Sequence, residues 1–190
     1  MVDLGCGGGF DAFLAANRVG ATGRVIGIDM TPEMVEKARA NAAQGGYTNV
    51  EFRLGDIEDL PVEHGSVDLV ISNCVLNLVP DKPKAFREIV RILKPGGRIA
   101  VSDIVLEGPL PEGLVGDADS YCSCVSGAVT RAEYLRELED AGLREVRVAA
   151  EADAAELLAG ECCGATVPDL AGVVTSVHVV GRKPPSCGCR

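Results

Sequence analysis

The sequence predicts an α/β fold with a Rossmann-like, doubly wound and mainly parallel sheet. Short strand-like runs alternate with helical patterns along most of the chain, and a glycine-rich turn directly follows the first apolar run. A third observation is the run VDLVISNC, which is apolar enough to be buried on both faces, as parallel strands are.

Local signals delimit the elements. Thr31 is placed to cap a helix that has Pro32 at its first position, and Thr130 is placed to cap another. Pro95 and the two glycines that follow it mark the end of another helix, which lies between those two in the sequence. In chain order we predict strand 2–5, helix 11–20, strand 24–29, helix 32–46, strands 49–56 and 67–74, helix 83–97, strand 98–106, helix 130–143 and the closing strands 144–150 and 173–182.

Composition limits the chain to one domain and favours a small-molecule partner. The 190 residues, 47% of them apolar, suffice for one core. A net charge of −10 disfavours nucleic acid and anionic membranes, which both attract concentrated Lys and Arg. No run approaches the roughly 18 apolar residues of a membrane helix, and no signal-peptide layout is visible, so we expect a cytoplasmic protein. We expect one domain over 1–182, divided into 1–108 and 109–182, followed by a cysteine-containing tail, 183–190.

The glycine loop after the first strand is a candidate nucleoside site. Three glycines stand where the chain turns sharply and where side chains would obstruct a ligand. Alone, the motif is a weak signal and could also be a plain strand-to-helix turn. Asp29, which ends the next strand twenty residues after Gly9, adds a carboxylate that can accept hydrogen bonds from ribose hydroxyls.

The spacing of the loop resembles the first motif of class I S-adenosylmethionine methyltransferases and differs from the dinucleotide fingerprint. The resemblance implies the class I methyltransferase fold with S-adenosylmethionine as cofactor. Asp56, near the adenine amine, and Asn73, beside the methionine part, continue the pattern, although Asp56 could instead cap a turn or helix. The implied cofactor-binding residues are Asp3, Gly5, Cys6, Gly7, Gly9, Asp29, Met30, Asp56, Ile57 and Asn73.

Within that superfamily, residues 1–182 are similar to arsenite S-adenosylmethionine methyltransferases almost throughout. The specific parts are SNCVLNL and CVSGA, whereas the cofactor motifs are shared with many methyltransferases. The resemblance implies that Cys74 and Cys124 bind trivalent arsenic and carry the reaction. It also implies arsenite or its thiol conjugates as substrate and a thiol reductant as partner.

Arsenic chemistry gives an independent reason to consider these thiols. Trivalent arsenic is soft and binds thiolates, and its lone pair attacks a sulfonium methyl group without a general base. This agrees with a chain whose two histidines, His64 and His178, lie away from any predicted site. We assign both histidines structural or solvent-facing roles.

The eight cysteines have alternative explanations, and a disulfide framework is disfavoured in a reducing compartment. Cys74 could be a small hydrophobe at the end of an apolar strand, and Cys6 is expected to serve packing. Cys122 and Cys124 would lie on one side of an extended segment and could reach one ligand. Four others could collect the soft ion or simply be exposed thiols: Cys162, Cys163, Cys187 and Cys189.

Two departures from the family leave alternatives open. Ala12 stands where relatives have a cysteine implicated in reducing the product, so a three-thiol site is in doubt unless Cys6 or Cys122 substitutes. The first strand is incomplete, and we expect its remainder, with helical sequence that covers the cofactor, to lie upstream, so that cofactor binding and stability are lower than in a complete enzyme. The alternatives are a carbon- or oxygen-directed small-molecule methyltransferase and a non-catalytic, thiol-rich arsenic-binding protein.

Overall fold

The computed structural model describes residues 1–108, 125, 127–154 and 172–186. Its centre is one seven-stranded sheet with the strand order β3-β2-β1-β4-β5-β7-β6. The strands are β1 (Val2–Leu4), β2 (Val25–Asp29), β3 (Val50–Leu54), β4 (Val67–Asn73), β5 (Leu93–Leu106), β6 (Arg144–Asp153) and β7 (Val174–Arg182).

The first five strands run parallel, and β7 lies antiparallel between β5 and β6. The predicted α/β class with a doubly wound, mainly parallel sheet is confirmed. β1 has three residues, and each of them is paired with both β2 and β4. This short central strand carries the glycine loop into the middle of the carboxyl edge, where parallel sheets bind ligands.

Four α-helices and one 3-10 helix accompany the sheet in the described part of the chain. One buried cluster joins the small residues of the first two helices to the sheet, and a larger one packs Phe86 and Tyr134 against strands β4 and β5. The helices are α1 (Phe10–Val19), α2 (Pro32–Gly45), the 3-10 helix η1 (Leu76–Leu78), α3 (Lys82–Ile92) and α4 (Arg131–Asp140).

The end of α3 differs from the prediction. The helix ends at Ile92, and β5 begins at Leu93, which pairs with Val67. The carbonyl groups of Arg91 and Ile92 accept hydrogen bonds from the backbone of Gly65 and Ser66, so partners outside the helix satisfy its last turn. The chain from Leu93 to Gly97 then enters the sheet through an irregularity in register. The remaining element boundaries shift by a few residues, as element ends usually do.

None of the helices described is long and apolar enough to cross a membrane.

Candidate active site

The carboxyl ends of the first four strands bring most of the predicted cofactor residues to one edge of the sheet. Asp3 and the glycine loop follow β1, Asp29 ends β2, Asp56 comes after β3 and Asn73 ends β4. These residues, which are far apart in the sequence, therefore lie together along the carboxyl edge of β1 to β4, here called the rim.

The glycine loop is held in a conformation that other residues would strain. Gly5, Gly7 and Gly9 have φ values of 64°, 50° and 93°, all in the left-handed region. A Cβ on Gly5 would approach Val75 within 2.6 Å, and one on Gly9 would approach Phe13 and Phe52 within 2.8 Å. Packing against the protein therefore requires glycine at two of these positions, where the sequence interpretation expected a ligand. Only the position of Gly7 is open, with no described atom within 4 Å.

Asp29 is fixed by the loop that it faces. Its Oδ2 accepts a hydrogen bond from the Gly7 backbone N–H at 2.9 Å, and its Oδ1 accepts one from the Thr31 N–H at 2.9 Å. Carboxylate oxygens have about four acceptor sites in total, so capacity remains for two hydroxyl donors. The arrangement orients the carboxylate beside the open side of Gly7.

Asp3 is a buried carboxyl group with unused capacity. Its side chain is 2% exposed, and Oδ2 has no hydrogen-bond partner among the residues described. Burial raises the pKa of Asp3 to about 7; the charges of Asp11 and Asp29 add to the rise, and the Ala12 backbone N–H opposes it. A buried oxygen without a partner suits a hydrogen-bond donor supplied by a ligand.

The next part of the rim combines a polar turn with exposed apolar side chains. Asp56 Oδ1 accepts a hydrogen bond from the Glu58 N–H at 2.8 Å, so this carboxylate closes a turn, which is the alternative that its sequence context allowed. Ile57 packs against the main core cluster. Met30 and Leu54, at the ends of β2 and β3, are exposed and offer an apolar surface beside the carboxylates.

Cys74 has an unusual backbone at the same edge. It follows β4 directly, is exposed, and has a φ of 54°. Its N–H donates to the Ser102 carbonyl oxygen at 2.8 Å. A non-glycine residue in this region costs on the order of 1–3 kcal/mol and persists only where neighbouring structure imposes it. Strain of this kind is enriched at functional sites, so the backbone adds to the chemical interest of the thiol.

Comparison with known proteins assigns the fold to a family. A model described as a methyltransferase domain matches residues 1–142. This chain belongs to the methyltransferase domain family.

More specific likenesses are to arsenic enzymes. An arsenite methyltransferase of Halobacterium salinarum is 46% identical over 184 residues, which are 97% of this chain and 46% of the relative. One of Aquipseudomonas alcaligenes is 43% identical over 136 residues, which are 68% of this chain and 39% of the relative. The chain thus spans less than half the length of these two relatives.

A solved structure agrees with these sequences. The crystal structure of an arsenic(III) S-adenosylmethionine methyltransferase from Chlamydomonas reinhardtii superposes with a TM-score of 0.79 at 32% identity, covering 98% of this chain and 64% of that one. The similarity to arsenite methyltransferases inferred from SNCVLNL and CVSGA is confirmed.

Cys6 of this methyltransferase domain is a packing residue. It is buried, and its Sγ donates only a long hydrogen bond, 3.8 Å, to the Gly7 carbonyl oxygen. Burial raises the pKa of the Cys6 thiol to about 12, and the charges of Asp3 and Asp29 contribute. Since a thiol with this pKa is protonated at neutral pH, Cys6 is a poor candidate for the third reactive thiol that the family resemblance implies.

The other cysteines lie outside the described residues: Cys122, Cys124, Cys162, Cys163, Cys187 and Cys189. In the part of the chain that the structure covers, no three His, Cys, Asp or Glu side chains form a group that could hold a metal ion. The assignment of Cys124 as an arsenic ligand stays a prediction.

His178 lies nearer to the site than expected. Its Nδ1 is 2.6 Å from Ser102 Oγ, and Ser102 is the register partner of Asn73. Asn73 in turn donates from Nδ2 to Asp11 Oδ2 at 3.3 Å. His64, by contrast, is exposed in the connection between β3 and β4, where a solvent-facing role was expected.

A buried polar group near Cys74 was missed in the sequence. Asp103, fully buried on β5, accepts a hydrogen bond at Oδ2 from the Tyr134 hydroxyl at 2.7 Å. Burial raises the pKa of Asp103 to about 7; the bond from Tyr134 opposes the rise, and the electrostatic interaction with Cys74 adds to it. The available signal was an acidic residue in the middle of the apolar run RIAVSDIVL.

Proposed function

We propose that this chain transfers the methyl group of S-adenosylmethionine to trivalent arsenic bound by the thiols of Cys74 and Cys124. The observation that carries the proposal is the placement of Cys74, exposed and in a left-handed conformation at the carboxyl edge of β4. The following residue, Val75, lies over Gly5 of the glycine loop. The turn of residues 74–75, here called the thiol turn, is therefore in direct contact with the glycine loop.

The residues of the rim fit the cofactor. Asp29, oriented by two backbone N–H groups, would accept the ribose hydroxyls, and the unpartnered buried oxygen of Asp3 would receive a donor from the methionine part. Met30 and Ile57 would flank the adenine, with Asp56 at its amine and Asn73 beside the methionine part. The backbone of the glycine loop, at Gly5, Cys6, Gly7 and Gly9, would lie close to the cofactor, because the position of Gly7 is open.

Bound S-adenosylmethionine would supply an electrophilic methyl group: the arsenic lone pair would form the As–C bond while the C–S bond breaks, and the electrons of that bond would leave with the thioether sulfur. The chain's own contribution is to bind and orient arsenic, because this reaction needs no proton transfer. Thiolate ligands hold the soft ion and keep its lone pair available. The absence of a general base from the proposed roles is therefore consistent with the chemistry.

A neighbouring cluster supports the second thiol. Val125, which directly follows Cys124, is buried in a cluster with Ile104 and Ala128, and Leu78 packs against the same cluster. Leu78 lies four residues after Cys74. Val125, the described residue that follows Cys124 in the sequence, thus belongs to a cluster on which the segment after Cys74 packs, and this supports the proposal of a second thiol ligand.

The proposal includes a cytoplasmic setting with arsenite or a thiol conjugate as substrate and a thiol as reductant. Methylation converts trivalent to pentavalent arsenic, so each further cycle needs two electrons, which a dithiol can supply by forming a disulfide. The net charge of −10 supports a protein that does not bind nucleic acid.

Incubation of the protein with arsenite, glutathione and methyl-labelled S-adenosylmethionine, followed by separation of arsenic species, tests the proposal. We expect labelled methylarsenicals. Label on another added small-molecule acceptor, without methylarsenicals, would favour the carbon- or oxygen-directed methyltransferase. Arsenite retention without any labelled product would favour a binding protein.

A further inference from the structure

Asn77, the asparagine of the LNL part of SNCVLNL, has no role in the proposed chemistry, yet it is fully buried. Its side-chain Nδ2 donates to the Ile104 carbonyl oxygen at 2.7 Å, and its backbone carbonyl accepts from Lys82 Nζ at 3.3 Å. Buried amide side chains are uncommon, so the bond from Nδ2 calls for an explanation.

The register of β4 on β5 supplies one. Asn73 pairs with Ser102, and the Cys74 N–H donates to the Ser102 carbonyl oxygen. In a parallel ladder every second residue of a strand donates to every second carbonyl of its neighbour. The next donor would be the N–H of residue 76, and its acceptor would be the Ile104 carbonyl oxygen.

The chain departs from this pattern, because Leu76 begins the 3-10 helix. The Ile104 carbonyl that the strand would have used accepts the Asn77 side-chain amide in its place. A side chain thus replaces a backbone donor of the ladder at the point where the chain leaves the sheet. This bond and the one from the Cys74 N–H to Ser102 attach the chain to β5 at Cys74 and again three residues later.

The departure decides where the sulfur lies. If β4 continued regularly, Cys74 would share a face with Ser72 and would oppose Asp103, and both of these are buried. The left-handed backbone instead leaves Cys74 exposed at the carboxyl edge.

We propose that Asn77 is a positioning residue for Cys74: by taking over the next bond of the β4–β5 ladder, its amide holds the chain in the left-handed turn that presents the sulfur at the cofactor edge. The role of Asn77 in fixing the position of Cys74 does not depend on which substrate the chain binds. Its effect on arsenic binding rests on the proposed function.

The test is the rate at which iodoacetamide alkylates Cys74, followed by peptide-resolved mass spectrometry, in the parent chain and in Asn77→Ser. Serine is too short to reach Ile104, so the turn is released toward a regular strand and Cys74 becomes less accessible. We expect alkylation of Cys74 to slow by about fivefold or more while the affinity for S-adenosylmethionine stays within about twofold. Asn77→Leu, which has a side chain of similar size and no hydrogen-bond donor, provides a second variant should Asn77→Ser not fold.

Asn49→Ser is the matched control, because Asn49 Nδ2 also donates to backbone carbonyls, those of Ala16 and Gly20 at 3.1 Å, away from Cys74. We expect this control to leave Cys74 alkylation unchanged. Equal alkylation in parent and Asn77 variants, or the same slowing in Asn49→Ser, would overturn the proposal.

A second readout separates this inference from the proposed function. If the chain methylates arsenite, Asn77→Ser should raise the KM for arsenite more than it lowers kcat. Slower Cys74 alkylation in a protein that forms no methylarsenicals would sink the proposed function and leave the positioning role of Asn77 standing.

Discussion

At the scale of single residues, Asp29 makes the most direct prediction about the cofactor. Its carboxylate is oriented by the Gly7 and Thr31 N–H groups, so Asp29→Ala removes both the orientation and the acceptor for ribose. We expect S-adenosylmethionine binding to weaken by about 1–3 kcal/mol, measured by calorimetric titration. Asp68→Ala is the control, since Asp68 pairs with Lys94 at the amino end of β4, away from the rim. Unchanged affinity in Asp29→Ala would remove that residue from the site.

Asp3 makes a prediction about pH and stability. Its pKa is raised from 3.8 to about 7 in the folded state, so between these pH values the folded chain holds a proton that the unfolded chain has released. The contribution of Asp3 to the free energy of unfolding is therefore fully present below the pKa of the unfolded state and is lost as the pH rises through the pKa of the folded state.

The free energy of unfolding of Asp3→Asn, compared with that of the ligand-free parent, should therefore be about 2–4 kcal/mol higher at about pH 8 than at about pH 5. The reason is that the amide carries no charge to bury. Urea unfolding of parent and variant at both pH values measures this. A difference between the two proteins that does not change with pH would contradict the raised pKa of Asp3.

At the scale of elements, the two predicted helix caps behave differently. Thr130 forms a capping box with Glu133, whereas Thr31, at the same position before α2, makes no side-chain capping bond to any described residue. Thr130→Ala should lower the free energy of unfolding by about 1 kcal/mol, and Thr31→Ala by a few tenths at most. Chemical denaturation compares the two directly, and equal losses would show that the capping box does not stabilise α4.

The contact between the glycine loop and the thiol turn gives another prediction. Gly5 and Gly46 have similar φ values, 64° and 69°, but a Cβ would clash with Val75 only at Gly5, since nothing described lies within 4 Å at Gly46. Gly46→Ala should therefore cost about 1 kcal/mol of stability, and Gly5→Ala should cost more.

Gly5→Ala should also weaken binding of S-adenosylmethionine, because the loop must shift to admit the methyl group. Thermal denaturation with and without cofactor measures both effects. The same small loss in both variants would indicate that Val75 moves aside freely.

The helices and strands were predicted correctly where the sequence signal is local, and the prediction was wrong where their bounds depend on distant residues. Alternating and helical periodicities, with Pro32 and Thr130 as punctuation, are properties of neighbouring residues, so the order of strands and helices follows from them. The end of α3 depends on Gly65 and Ser66, which lie far away in sequence, and no local pattern shows that Leu93 joins the sheet.

The site shows the same division. Asp29 and Asn73 end strands, and the rule that ligands bind at the carboxyl edge places them together. The bond between Asp103 and Tyr134 and the bond from Asn77 to Ile104 require the register of β4 on β5 and the packing of α4. Residue spacing encodes neither bond, so the two pairings became visible only in three dimensions, although the acidic residue within RIAVSDIVL was a signal for Asp103 itself.

At the scale of the whole molecule, the strand order brings cofactor loop and thiol together. Strands β1 and β4 are neighbours in space, and the hydrogen bond from Asn73 at the end of β4 to Asp11 of α1 joins residues that lie 62 positions apart in the sequence. The crossover from β3 on one side of β1 to β4 on the other opens the crevice in which such sheets bind ligands. Arsenic held at Cys74 would therefore face whatever the glycine loop binds.

Methylarsenic formation by cysteine variants, measured beside S-adenosylmethionine titration, tests this arrangement most directly. Cys74→Ser and Cys124→Ser should each abolish arsenite methylation, because a protonated hydroxyl is a hard and weak ligand for arsenic, while cofactor affinity stays near that of the parent. The double variant Cys187→Ser with Cys189→Ser is the control and should keep most of the activity. Undiminished methylation in the Cys74 or the Cys124 variant would contradict the assignment of these thiols as the arsenic site.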